Sequence, residues 1–329
     1  MTSPLPRRAA PVAALMGALV AALLTACAAK PDGLRHAVPG LDEPSGLAAS
    51  RTQTGVFWTH NDSGADPVLY AVTADGRLLA RYRVEGAAAV DWEAVTVGDD
   101  GFVYIGDIGN NGNDRRDLTV YRVAEPVVPR EPPAERVDGT LTVDRAIRFH
   151  YPEQREYPPA ARNFDAEALF WAPHPDTGHG TLYLLTKHRG DLATVLYRFD
   201  ALGTPPSGSL ALTARGAFIV GGDPARYGGM VTDADATADG RLLAVLTYHA
   251  LFVFERPAES DAYLTLPRNR IDLDQDVTIQ AEAVAWDGDT ILFTNEQGGI
   301  FRVDEPLAPR SGRFPPGERA APAPKPEAP

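Results

Sequence analysis

DWEAVTVG, residues 91–98, sets two acidic side chains, Asp91 and Glu93, at the mouth of a short apolar strand, and the chain repeats that arrangement along its length. The other copies are EPSGLAAS at 43–50 with Glu43, DAEALFWA at 165–172 with Asp165 and Glu167, VTDADATADG at 231–240 with Asp233 and Asp235, and QAEAVAW at 280–286 with Glu282. A carboxylate at the start of an inner strand costs free energy unless something pairs with it. Five copies at one structural position point to groups converging on a shared cation or polar ligand, rather than to five separate solvated edges.

Each copy opens a unit of short strands. No long stretch after the N-terminal segment keeps apolar residues at helical spacing. Instead, runs rich in Val, Leu, Tyr, Phe and Thr are punctuated by Ala74-Asp75-Gly76, Asp99-Asp100-Gly101, Asp239-Gly240 and Asp287-Gly288, which read as tight turns between strands. Second strands read VFWTH, FVYIGD, TLYLLTK, LLAVLTY and ILFTNE; third strands read VLYAVT, LTVYRV, TVLYRF, LFVF and GIFRV. The units begin at 43, 91, 165, 233 and 282, intervals that suit a four-stranded sheet with variable loops, the blade of a propeller. The last unit lacks a fourth strand of its own, and a spare apolar stretch at 34–38 is expected to complete it and close the ring. The expected fold is all-β: a single β-propeller over 34–306 with five four-stranded blades. A sixth blade has room at 126–162, although VVPREPPAER at 127–136 reads as a loop.

The ends carry other information. Arg7 and Arg8 precede an apolar run that finishes in Leu24-Thr25-Ala26-Cys27, the layout of a secretory signal over 1–26. It resembles a bacterial lipobox, with Cys27 the lipidated residue, 27–33 a tether and 307–329 a Pro-rich disordered tail. An ordinary signal peptide with an incidental cysteine is the alternative. Cys27 is the only cysteine of 329 residues, which excludes disulfides and cysteine-ligated zinc. No second run approaches the ~18 apolar residues of a spanning helix. Membrane attachment is therefore expected through the N-terminal lipid only, on the extracytoplasmic face. The net charge is -13, and losing Arg7 and Arg8 makes it -15. Such a surface repels nucleic acid and anionic headgroups, so neither is expected as a partner. The chain is expected to act as a monomer.

In a blade, the start of the first strand and the end of the second meet at one mouth of the central channel. The second set is polar throughout: Asn61 and Asp62, Asp107 and Asn110, Lys187, Tyr248, Asn295 and Glu296. Hard cations such as calcium take six to eight oxygens from carboxylates, carbonyls and water. Alternatively, the acids pair with local arginines or cap backbone amides. Arg115, Arg116 and Lys187 add positive charge able to hold a phosphate or carboxylate. The GxSxG elbow, the HExxH helix, the glycine-rich phosphate loop and the EF-hand pattern are all missing.

SGLAAS, WTHNDSG, DWEAV, YIGDIGNN with its following arginines, VYRVAEP, DAEALF, VTDADATADGRLLAVLTY and QAEAVAW resemble secreted bacterial β-propellers. The resemblance takes in the phytase-like esterase, SdiA-regulated and gluconolactonase-like groups, and covers most of residues 40–305. It implies an extracytoplasmic propeller that binds calcium at the channel mouth. Carried over residue by residue, it implies ligands at Glu43, Asp62, Glu93, Asp107, Glu167, Asp233, Glu282 and Glu296. VTDADA departs from the pattern, offering Asp233 and Asp235 where other units offer Glu.

The leading expectation is a lipid-anchored propeller whose acidic mouth binds calcium or a similar ion and, through it, a small molecule or an extracellular protein. An alternative is a metal-dependent hydrolase of phosphoesters, lactones or esters, with Glu93 as general base, Asp107 as a further catalytic candidate and Lys187 or Arg116 steadying negative charge. A protein-interaction scaffold using the opposite face is the third reading.

Overall fold

The structure, a computed structural model, describes residues 41–133, 137–160, 163–188, 193–202, 208–221, 228–309 and 312–313. The signal, Cys27, the tether, the strand expected at 34–38 and most of the 307–329 tail lie outside the described residues.

Five antiparallel blades follow in chain order among the described residues, the first two joined into one sheet by parallel pairing of their outer strands. Blade 1 comprises β1 (Pro44–Ala49), β2 (Val56–Asn61), β3 (Val68–Thr73) and β4 (Leu78–Glu85). Blade 2 comprises β5 (Trp92–Val97), β6 (Phe102–Asp107), β7 (Thr119–Ala124) and β8 (Asp138–His150). Blade 3 comprises β9 (Ala166–Pro173), β10 (Gly180–Thr186) and β11 (Ala193–Arg198); the short β12 (Leu210–Ala211) pairs with β8, and β13 (Thr213–Ile219) completes the blade. Blade 4 comprises β14 (Val231–Ala236), β15 (Leu242–Thr247), β16 (Ala250–Glu255) and β17 (Asn269–Asp272). One helical turn, α1 (Gln275–Thr278), leads to blade 5, in which β18 (Ala281–Asp287), β19 (Thr290–Asn295) and β20 (Ile300–Val303) are described. Among its described residues the 126–162 stretch contributes β8, the outer strand of blade 2, and no sixth blade.

The innermost strands close the ring: β1 lies against β5 and β18, β9 against β5 and β14, and β14 against β18. Closure is thus made by first strands packing side by side, with residues 34–38 outside the described set. Five apolar clusters fill the five gaps between blades. In β5 the alternation is visible residue by residue, since Ala94 joins the core shared with blade 3 and Val95 the core shared with blade 1. Both faces of such a strand are covered, so all six residues of β5 are buried without a polar stripe. The outer β8 instead alternates along most of its length, with only its end buried. Gly101 and Gly288 take φ of 82° and 62°, the left-handed conformation that the tight turns after β5 and β18 require.

Candidate functional site

Each inner strand carries a β-bulge near its start, which leaves one extra residue without a partner on the neighbouring strand. Trp92 pairs with Asp107 and Ala94 with Gly106, leaving Glu93 as the extra residue. The same register shift leaves Glu167 between Ala166 and Ala168, and Glu282 between Ala281 and Ala283. In blade 1 the extra residue is Gly46, and in blade 4 it is Thr232. Bulges bend a strand and re-aim a side chain. The five equivalent positions are therefore three glutamates, a threonine and a glycine. The place that a side chain on Gly46 would occupy is taken by His60, whose Nε2 lies 2.7 Å from where a Cβ on Gly46 would sit.

Lys187 sits among the glutamates. Its Nζ is 2.7 Å from Glu167 Oε2, and both side chains are buried. Burial works against the lysine's charge, but Glu167, Tyr248, Glu93 and Glu282 together hold its pKa well above the ordinary value. Lys187 also hydrogen-bonds the Tyr248 hydroxyl, whose own pKa is raised, chiefly by burial.

The acids around it cannot all ionise. Burial, followed by the charge of Glu167, raises the Glu93 carboxyl well above its normal range, with Lys187 opposing and Asp62 and Asp91 adding to the rise. Burial likewise raises Glu282, against Lys187 and with Glu167 and Glu296 adding. Glu282 and Glu296 hydrogen-bond each other, an arrangement that needs one shared proton. Asp91 is pushed up to about 6 by burial and by the charges of Asp165 and Asp62.

Oxygens of Asp62, Asp91 and Glu93 lie within 4.8 Å of one another, the one such cluster of three among the described residues. Gly109, in the DIGNN loop, gives this group its room: a Cβ there would stand 2.4 Å from the Asp91 carboxylate and 2.5 Å from Glu93 Oε1. Thr232 Oγ1 is buried and has no hydrogen-bond partner among the described residues.

The other expected ligands sort differently. Glu43 is exposed, and its charge reaches Glu296, so it stands on the rim. Asp107 accepts from the Asp91 amide at 3.0 Å and pairs with Arg115 at 2.9 Å, which makes it a brace beneath the site. Asp233 lies deeper, its two oxygens accepting from the amides of Ala234 and Val284 at 2.8 Å each. Asp235 accepts from the Trp286 amide at 2.9 Å. These two aspartates satisfy inner-edge amides of β18 that have no strand to pair with, as the amide-capping alternative expects. Asn110 bonds Asp165 and Phe164, tying the blade 2 loop to blade 3. Arg116 stacks on the Tyr157 ring at 3.8 Å and lines a separate cavity.

Sequence reasoning missed Thr232, the Gly46–His60 exchange and the role of Gly109. A register aligned on the small residue after each acid, Ala94, Ala168 and Ala283, would have shown that Glu43 stands outside the series.

No protein-family model matches the chain, and no curated protein matches it. Solved structures do. The PQQ-bound aldose sugar dehydrogenase from Streptomyces coelicolor is 12% identical with a TM-score of 0.44, the match covering 82% of this chain and 95% of that one. The Dos1 propeller is 12% identical with a TM-score of 0.36, over 76% of this chain and 52% of that one. Sqt1 of Chaetomium thermophilum is 14% identical with a TM-score of 0.33, over 83% and 61%. The likeness is one of fold; the propeller itself rests on the strand pairing above.

Proposed function

We propose that the channel mouth of this β-propeller binds a divalent cation, calcium by chemistry, on Asp62, Asp91 and Glu93, and that the cation holds an oxygen-bearing ligand. The observation that carries this reading is the approach of three carboxylates from two blades to within 4.8 Å, beside an ammonium already paired with Glu167 at 2.7 Å. Calcium–oxygen bonds of about 2.3–2.6 Å put donors on opposite sides of the ion about 5 Å apart, so the cluster has calcium's dimensions. Three carboxylates supply at most six oxygens, which leaves positions for water or ligand. Gly109 keeps the space open, and Thr232 supplies an unused hydroxyl at an equivalent bulge position. Calorimetric titration with calcium tests the reading. Absence of heat together with an unchanged melting temperature at millimolar calcium removes it.

The Lys187–Tyr248 pair at the same mouth favours a second reading, hydrolysis of a phosphoester, lactone or ester. The cation would polarise the substrate oxygen. Glu93 would then be a ligand, so the role of general base passes to Glu282, and Lys187 steadies developing negative charge. A panel of chromogenic esters, lactones and phosphoesters, run with and without chelator, separates the readings. Turnover that survives Glu282→Gln unchanged rules out this assignment.

Both readings keep the propeller outside the cytoplasm on a lipid at Cys27. Fatty-acid labelling that disappears in Cys27→Ser is the expected result.

A further inference from the structure

We propose that the cavity beside Arg116 is an oxyanion site, taking a phosphate or carboxylate group, distinct from the acidic mouth. The cavity has a volume of about 200 Å³ and is lined by Arg115, Arg116, His150, Tyr157 and Ser209 over the buried ring of Phe149. That is room for one small anionic group with a short substituent.

The two arginines play different parts. Arg115 is committed: it donates through Nη1 to the Gly109 carbonyl at 2.7 Å and pairs with Asp117 at 3.1 Å and Asp107 at 2.9 Å. It is a fixed wall. Arg116 has no carboxylate partner among the described residues; its guanidinium lies flat on Tyr157 at 3.8 Å. Some exposed arginines of this acidic chain have carboxylate partners, as in Arg270–Asp272 and Arg302–Asp304, while others such as Arg148 and Arg155 have none among the described residues; what sets Arg116 apart is its place on a ring face in a cavity wall. Stacking on a ring face holds a guanidinium flat and leaves its N–H edge for a planar, paired contact with an oxyanion. His150 Nδ1 and Ser209 Oγ, both on the cavity wall, are 2.6 Å apart, so the neutral pair presents one further donor, the hydroxyl or the imidazole Nε2–H according to which of them donates in that contact. The occupant is thus a small anion, recognised by a guanidinium that is held flat in the cavity wall without a carboxylate partner among the described residues.

The test titrates the purified protein with inorganic phosphate and, separately, with acetate, in the presence of chelator, by calorimetry and thermal melting. Saturable binding of at least one anion, weakened tenfold or more in Arg116→Ala and unchanged in Glu93→Gln, is the expected result. The arm that responds identifies the headgroup. Arg116 is exposed, so the variant should melt as the parent does without anion. No saturation by either anion at tens of millimolar, or equal affinity in Arg116→Ala, overturns the proposal. Because Glu93→Gln removes the cation site alone, failure here is distinguishable from failure at the mouth.

Discussion

Lys187 Nζ and Glu167 Oε2 stand 2.7 Å apart, both side chains buried, with Glu93 and Glu282 near enough for their charge to act on the ammonium. The lysine acts as a built-in cation for these acids. Breaking such a pair by removing one partner strands a buried charge and costs about 3–5 kcal/mol. Lys187→Met should therefore destabilise the protein by about that much in chelator, measured by urea denaturation. Glu167→Gln in the same background should recover part of the loss, because the stranded charge goes. A double variant no more stable than Lys187→Met would show that the lysine does not balance these acids.

Gly109 has no positive φ, so its backbone accepts alanine, but the added methyl would stand 2.4 Å from the Asp91 carboxylate. Gly109→Ala should weaken calcium binding by an order of magnitude or more while the fold persists, read by calorimetry beside circular dichroism. Calcium affinity equal to the parent's would place the ion elsewhere.

The pH dependence follows from acids whose pKa is raised in the folded state. Asp91 moves from 3.8 to about 6, so the folded protein holds its proton longer than the unfolded chain. Stability without cation therefore falls as pH rises from about 4 to about 6, and the loss persists above that range. A divalent ion needs the ionised form, so its affinity rises through the same window, by about tenfold per pH unit for each proton displaced, and protons are released on binding. Titrations in buffers of different ionisation enthalpy count those protons. Affinity that is flat between pH 5 and 7 would contradict the assignment of Asp91.

Much of this arrangement was legible in the sequence because it is written in periodicity. The stretches Val56–Trp58, Val103–Ile105 and Leu182–Leu185 are buried on both faces and so are apolar throughout, and the turn at Asp100-Gly101 marks the start of the second. Convergence of Glu93, Glu167 and Glu282 was legible for the same reason, since each precedes an alanine at the same strand position. Register was not legible. A bulge adds one residue without a composition signal, so VTDADA departs visibly from the pattern but does not show that Thr232, rather than Asp233 or Asp235, holds the place of Glu167. Nor does any local pattern separate Asp107, braced by Arg115 from eight positions along the chain, from Asp62, which points to the cluster. Arg116 and Lys187 read alike as loop cations, and only the strand layout assigns them to different cavities.

Asp233 and Glu93 should therefore respond in opposite ways to the same isosteric change. Asp233 spends both oxygens on backbone amides, of Ala234 and Val284, so Asp233→Asn presents an N–H where an acceptor was needed. Leaving a buried amide unpaired costs about 1–3 kcal/mol, and the loss should appear in urea midpoints with calcium affinity nearly intact. Glu93→Gln removes a carboxyl that burial and Glu167 already disfavour as an anion, so stability in chelator should hold or rise. Its calcium affinity should collapse, because a ligand with a full charge has become a weak neutral donor. Measuring urea midpoints and calcium isotherms for both variants gives a two-by-two result. Loss of calcium binding in Asp233→Asn, with Glu93→Gln unaffected, would move the cation down the channel to the aspartates of β14.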